Sequence, residues 1–436
     1  MADMIIMQEQ NKEELQRAIL VGVCFDTADS DYYHAMEELK ELAKACEMEV
    51  VAIIEQNMAS PNPATYVGSG KVQEIAETVN QLEADYVIFE DTLSPSQLKN
   101  VQREINASVM DRTNLILEIF SRRAKTREAR LQVESANLQY ILPRLVGMRE
   151  SLGRQGGASG SMSNKGSGEK QIELDRRRIE RRISELRREL EAIEHDRQVK
   201  RGKRMQSSVP QVSLVGYTNA GKSTLLNRML GHFVGNDEKM VMEKDMLFAT
   251  LDTTVRRISF ENHKDFLLSD TVGFISHLPH TLVKAFHSTL EEVTYADLLL
   301  EVVDLSDEHY REHMQVTKET LKELGAEEIP IIYVMNKADR VYEVDTLPRI
   351  NGDTIYMSAS LEAGLSELVE MIQNKLYASN KRASFLIPYA KGDIDHYLNE
   401  NAHVYTREYT ENGILLDVDC KETDYHRFAE YLVYKP

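Results

Sequence analysis

The stretch VSLVGYTNAGKSTLLNRML sets Gly216, Gly221, Lys222 and Ser223 in the order G-x-x-x-x-G-K-S, directly after an apolar run of strand character and directly before a helical pattern. Glycines at those positions let backbone N–H groups close around an anion, a lysine adds one mobile positive charge, and a hydroxyl offers a hard oxygen to a divalent cation. The spacing predicts a phosphate cradle running through Gly216, Tyr217, Thr218, Asn219, Ala220, Gly221, Lys222, Ser223 and Thr224. Lys222 would reach the β and γ phosphates and Ser223 would coordinate Mg²⁺. Further along, LLSDTVGF ends a strand in Asp270, followed by Thr271, Val272 and Gly273. Asp270 is placed to hold a magnesium water, and the Gly273 N–H to sense a γ-phosphate.

IIYVMNKAD selects the base. Asn336, Lys337, Ala338 and Asp339 form N-K-x-D at a strand end. The Asp339 carboxylate can accept from guanine N1–H and from the exocyclic N2 amine, a donor pair that adenine lacks, so the wrong base would leave buried groups unpaired. YMSAS supplies Ser358, Ala359 and Ser360 to close over the guanine. In this order the four strings predict a GTP site. Between the first two lies FATLDTTVRR, whose hydroxyls Thr250, Thr253 and Thr254 are candidates for a switch threonine that reaches Mg²⁺ when a γ-phosphate is present. Spacing does not choose among them. Ras-type enzymes place a water-orienting glutamine immediately after the switch glycine, whereas Phe274 stands here. Slow hydrolysis without a partner is the expectation, with Gln206, Gln211 or His277 acting in cis as the alternative.

These motifs need scaffolds. Residues 18–113 alternate short β-rich runs with helical patterns, which predicts a parallel sheet flanked by helices. Within it VGSGK, from Val67 to Lys71, reads as a turn before a helix rather than a second phosphate loop. From Leu115 to Ile141 the pattern is helical, with Pro143 expected to end it nearby. Ile172, Ile179, Ile183, Leu186, Leu190 and Ile193 form a heptad-like seam, which predicts a second helix packed antiparallel to the first. The connecting stretch 153–170, GRQGGASGSMSNKGSGEK, would be the tip of that hairpin. After Lys381, HVYTREYT and GILLDVDC flank an Asn-Gly and predict a β-hairpin in a small α+β domain. The expected fold class is thus α/β multidomain: an N-terminal α/β domain (1–114), a helical hairpin (115–206), a doubly wound P-loop GTPase domain (207–378) and a small α+β domain (379–436).

Composition restricts the remaining possibilities. Three separated cysteines, Cys24, Cys46 and Cys420, show neither zinc spacing nor a disulfide framework. No apolar run reaches the roughly 18 residues of a membrane span, so a cytoplasmic protein is expected. The net charge of −19 hides an asymmetry: residues 121–204 carry 22 Arg and Lys against 12 Asp and Glu, leaving −29 for the rest. A basic helical segment in an acidic molecule reads either as a solvated face laced with ion pairs or as a footprint for RNA phosphates.

DRTNLILEIFSRRAKTREARLQVESANLQYILPRLVG, QIELDRRRIERRI, GYTNAGKSTLLNRM, FATLDTTVRR, DTVGFISHLPHTLVKAFHSTLEE and NKAD together resemble the HflX GTPases, over about residues 18 to 376. The resemblance implies a GTPase that binds the 50S ribosomal subunit and its 23S rRNA and separates 70S particles, stimulated by the ribosome; no DNA partner and a monomer are expected. It implies that Thr250 is the magnesium threonine, so that Phe248, Ala249, Thr250, Leu251 and Asp252 join the nucleotide site. Lys222, Thr250 and Gly273 would then carry catalysis. It also implies that the hairpin meets rRNA through residues such as Arg154, Lys165, Lys170, Arg176, Arg177, Arg181 and Arg182, with the glycine-rich tip directed at the peptidyl transferase centre. The family's tip is close to G-G-x-G-x-R-G-P-G-E-T, and GGASGSMSNKGSGEK departs from it at Lys165, Ser167 and Lys170. A 50S assembly GTPase, a variant specialised for antibiotic-bound or hibernating ribosomes, and a switch acting on a protein partner are the alternative readings.

Overall fold

The computed structural model describes residues 15–25, 30–154, 165–205, 209–234, 247–248, 254–260, 264–271, 273–275 and 292–433; within the helices, side chains are described outside 30, 146–154, 165–172 and 196–205. Packing divides the chain into two units. One holds Met1–Ile193 and, of the later described residues, Leu247 and Phe248; the other holds the remainder.

In the first unit, β1 (Gln16–Cys24), α1 (Ser30–Ala45), β2 (Met48–Asn57), α2 (Ser69–Leu82), β3 (Tyr86–Phe89), α3 (Pro95–Glu104) and β4 (Ser108–Asp111) alternate as their hydrophobic patterns require. The four strands form a parallel sheet in the order β2-β1-β3-β4. β1 is buried from Ala18 onward, as expected of a strand covered on both faces. Ser94 caps α3 reciprocally with Gln97, and Pro95 takes the first helical position. VGSGK is indeed a turn before a helix: the Gly68 amide donates to Gln56 Oε1 at 2.8 Å, and Lys71 pairs with Glu74 at 2.7 Å.

The helical segment that follows departs from the expectation in two places. It is broken into α4 (Arg112–Arg123) and α5 (Arg127–Arg154), because Thr126 starts a new helix by accepting from the Ala129 amide at 3.1 Å. Pro143 does not end α5 but lies inside it. A proline removes one helical hydrogen bond, yet the adjacent Arg144 anchors this turn. Its Nη2 donates to Asp111 Oδ2 and to Leu93 O, both at 3.1 Å, its Nη1 donates to Tyr140 O at 2.8 Å, and its guanidinium lies 3.3 Å from the Tyr140 ring centroid. Tertiary contacts here outweigh the local breaker.

α6 (Lys165–Met205) begins earlier than the tip reading allowed, so only 155–164 separates the two helices, and that segment lies outside the described residues. Glu134 accepts from Arg182 at 2.7 and 3.0 Å, and Arg127 pairs with Glu189 at 2.9 Å. Rising numbers on α5 meet falling numbers on α6, so the hairpin is antiparallel. Of the expected seam, Leu186 is fully buried, Ile179, Ile183, Leu190 and Ile193 are half-buried, and the Ile172 side chain lies outside the described residues.

The second unit contains β5 (Gln211–Val215), α7 (Lys222–Phe233), β6 (Thr254–Ile258), β7 (Phe266–Asp270), β8 (Leu298–Asp304), α8 (Tyr310–Glu323), β9 (Ile331–Asn336), β10 (Arg349–Asn351), β11 (Thr354–Tyr356) and α9 (Leu365–Leu376). Its seven-stranded sheet runs β10-β11-β9-β8-β5-β7-β6; the two edge strands are antiparallel and the inner pairs parallel. Val212, Leu214, Leu300, Val302 and Val334 form one face of its core with α7 and α9. The same unit carries β12 (Lys381–Ile387), α10 (Gly392–Asn401), β13 (His403–Thr410), β14 (Gly413–Cys420) and α11 (Glu422–Arg427). These strands form an antiparallel sheet, β12-β14-β13, and the expected hairpin turns at Glu411 and Asn412. The three cysteines are buried and form no disulfide with one another. No helix among the described residues is long and apolar enough to cross a membrane.

Candidate functional site

The predicted motifs meet at the carboxyl ends of β5, β7, β8 and β9, where parallel α/β sheets hold ligands. The loop from Gly216 to Gly221 joins β5 to α7. Gly216 has φ +133°, and a β-carbon there would overlap the Val302 carbonyl on β8; Gly221 has φ +97°, and a β-carbon would overlap Asn336 Nδ2. Both glycines are therefore required by conformation and by close approach.

Lys222 sits in the first turn of α7, only 6% exposed, and donates to Gly216 O at 3.0 Å and Tyr217 O at 2.6 Å. Burial pushes its ammonium down to about 8, partly offset by the Asp270 carboxylate. Ser223 Oγ donates to Asp270 Oδ2 at 2.7 Å, so the hydroxyl and the carboxylate assigned to magnesium are neighbours. This pair of hard oxygen donors fits Mg²⁺ completed by phosphate oxygens and water. Phe274 lies directly beside the loop: Thr218 N donates to Phe274 O at 2.8 Å, and Phe274 N donates to Gly216 O at 3.1 Å. Gly273 consequently faces Thr218 and the Lys222 ammonium. Thr271 Oγ1 is turned inward and donates to Leu214 O at 2.6 Å.

Asn336 ties the phosphate loop to the Ser358–Ser360 loop. Its Nδ2 donates to Ala220 O at 2.8 Å, and its Oδ1 accepts from Ala359 N at 2.9 Å. Ser358 Oγ lies 3.1 Å from Ser360 Oγ, while Ala338 N donates to Met357 O at 3.1 Å. Lys337 is paired with Asp304 at 2.7 Å, a carboxylate that motif spacing does not identify. Asp339 Oδ1 is shielded from solvent and has no hydrogen-bond partner among the described residues. A buried carboxylate oxygen without a donor is costly, and guanine offers the donors this position lacks.

Among the other expected residues, Phe248 is buried and meets the Phe120 ring edge-on at 4.7 Å. Ala249, Thr250, Leu251, Asp252, Thr253 and Val272 lie outside the described residues, as do Gln206 and His277. Thr254 begins β6. Gln211 is excluded as a water-orienting group: it starts β5, opposite the phosphate loop, and its side chain reaches Glu292. On the hairpin, Arg176 pairs with Glu180 at 2.9 Å, Arg177 with Glu173 at 3.2 Å and Arg182 with Glu134 at 2.7 Å. Arg181 is exposed and has no ion pair among the described residues. Arg154 ends α5 and Lys165 and Lys170 lie in α6 by backbone, their side chains outside the described residues.

Three sequence profiles match in succession: "GTP-binding GTPase N-terminal" over 33–121, "GTP-binding GTPase Middle Region" over 123–204 and "50S ribosome-binding GTPase" over 211–337. The GTPase HflX of Caldanaerobacter subterraneus subsp. tengcongensis is 42% identical over 415 residues, 95% of this chain and 93% of that one. The chain belongs to the HflX GTPase family. Its HflX relative in Escherichia coli K12 is 40% identical over 383 residues, 86% of this chain and 87% of that one. A GTP-binding protein of Sulfolobus solfataricus, solved with GDP, aligns with a TM-score of 0.44 and 26% identity, covering 83% of this chain and 99% of that one. As an HflX-family member with this phosphate loop, the protein is a GTP hydrolase.

Proposed function

We propose that this HflX-family GTPase binds the large ribosomal subunit through its basic helical hairpin and uses GTP to separate 70S ribosomes into subunits. The reading is carried by one juxtaposition: the G-x-x-x-x-G-K-S, Asp270, N-K-x-D and S-A-S motifs of a guanine-nucleotide cradle on the same chain as a hairpin whose segment 121–204 has ten more basic than acidic residues in a molecule of net charge −19. The profile matched over the nucleotide site is described as that of a 50S ribosome-binding GTPase. Ser223 and Thr250 would hold Mg²⁺, with Asp270 acting through a water; bound there, the ion would neutralise phosphate charge. Lys222 would bind the β and γ phosphates and Gly273 would report the γ-phosphate, with Thr250 closing the switch. Phe274 has no group to orient a water, so hydrolysis is expected to be slow until the ribosome orders the switches. The cytoplasm, where ribosomes are, is the site of action.

The test is GTP turnover by the purified chain alone and with 50S or 70S particles, paired with a sucrose-gradient profile of the 70S sample. Strong stimulation with conversion of 70S into subunits supports splitting. Stimulation without conversion points to 50S assembly instead, and no stimulation overturns the ribosomal reading.

A further inference from the structure

Tyr217 occupies the second position of the phosphate loop, where its ring must leave the nucleotide side and find a place to pack. It lies flat on the imidazole of His313, with centroids 3.7 Å apart and planes 10° apart. Both residues are nearly closed to solvent, each 7% exposed. His313 is itself fixed. It sits in the first turns of α8, its Nδ1 is 3.8 Å from Asp307 Oδ2, and Asp307 Oδ1 accepts from the His309 amide at 2.9 Å. Thr317 Oγ1 donates to His313 O at 2.9 Å.

The stack bears on the chemistry because of what the Tyr217 backbone does. Its carbonyl and that of Gly216 accept from the Lys222 ammonium, and the neighbouring Thr218 amide is paired with Phe274. Gly216 is pressed against β8, the strand from which the chain leads on to α8. The first turn of the loop is thus anchored on one side by the β8 backbone and on the other by the His313 ring. We propose that His313 is a positioning residue for GTP binding and hydrolysis: its stack on Tyr217 fixes the turn whose carbonyls aim Lys222 at the phosphates. His313 touches no nucleotide itself and acts through Tyr217. Neither residue's role follows from the G-x-x-x-x-G-K-S spacing, in which the second position is unspecified.

A flat aromatic stack contributes enough to change a rate or an affinity about three- to tenfold. The experiment compares H313A, Y217A, Y217A/H313A and H313F in the full-length chain, well below each variant's Tm. Mant-GDP affinity and single-turnover kcat/KM for GTP are measured in each. H313A and Y217A should each lower both quantities about three- to tenfold, the double variant should be no worse than either single one, and H313F should recover most of the loss by restoring a flat ring. Three results would overturn the proposal: a lowered Tm in H313A with both nucleotide constants unchanged, full additivity in the double variant, or no recovery in H313F. If H313A fails to fold, Y217L, which changes only the loop side of the stack, is compared with Y217F under the same criteria.

Discussion

Glu301 offers a quantitative check on how the nucleotide-binding sheet is built. It lies in the middle of β8, paired in register with Val215 and Tyr333, and is 3% exposed. Its Oε1 has no hydrogen-bond partner among the described residues, and burial pushes its carboxyl from 4.5 up to about 7. The folded state therefore holds this proton more tightly than the unfolded chain does. Below pH 4.5 both states are protonated and the carboxyl contributes no pH dependence. Between 4.5 and 7 the unfolded chain ionises first, so stability falls as pH rises; above 7 both are ionised and the loss is constant, about 3 kcal/mol at 1.36 kcal/mol per pH unit. Glu301→Gln keeps the shape and removes the titration. Relative to the parent, E301Q should gain nothing near pH 4.5 and up to about 3 kcal/mol at pH 8, equivalent to roughly 6–12 °C in Tm for a cooperative unit of 150–250 residues. Differential scanning calorimetry of the full chain across pH 5–8, without nucleotide, measures this. Tyr333, opposite on β9, is raised partly by the Glu301 charge and should move back toward its ordinary value in E301Q. A Tm difference between parent and variant that does not change with pH would refute the reasoning.

Asp339→Asn replaces an acceptor facing two guanine donors. Two charge-assisted bonds at about 1.5–3 kcal/mol each predict a loss of GTP affinity of at least about 100-fold, together with improved binding of xanthosine triphosphate, whose 2-oxo group can accept from the new amide; fluorescence titration with both nucleotides checks the exchange. Gly221→Ala puts a β-carbon into Asn336 Nδ2 at a left-handed φ, so mant-GDP binding should be lost while far-UV circular dichroism remains near that of the parent. Arg144→Met leaves the fully buried Asp111 without its guanidinium and should destabilise the first unit by about 3–5 kcal/mol, seen as faster proteolysis within 1–193; an unchanged digestion rate would mean that Pro143 is tolerated for another reason.

How much of this was legible in sequence depends on the range of each constraint. The convergence of Gly216, Gly221, Lys222, Ser223, Asp270 and Asn336 was legible because nucleotide chemistry ties such residue types to fixed offsets from strand ends. The β13–β14 turn was legible because Gly413 requires φ +150° and glycine is the residue that supplies it. Pro143 misled because its penalty is local, whereas Arg144, Asp111 and Leu93 oppose it across the fold. The break before α5 had a signal, the Thr126 hydroxyl, which helical periodicity alone conceals. Asp304 beside Lys337 and His313 beneath Tyr217 left no trace in spacing, since each belongs to a strand or helix whose distance from its partner the motif does not specify.

The same distinction accounts for the hairpin. Its arginines recur because charge is needed somewhere on the helix surface, and the structure divides them by what lies within reach. Arg182 is committed to Glu134 across the helices, where it sets the antiparallel register, whereas Arg176 and Arg177 pair along their own helix. An exposed i,i+4 pair contributes only about 0.3–0.5 kcal/mol, so an RNA phosphate can replace the carboxylate at little cost, while recruiting Arg182 would also loosen the hairpin. Arg181 has no ion pair to exchange among the described residues. Charge reversal should therefore separate the two roles: R181E should weaken binding to the 50S subunit and reduce its salt dependence with the fold intact, whereas R182E should lower hairpin stability first. If R181E and R182E reduce 50S binding equally at unchanged stability, the division drawn from the ion pairs is wrong.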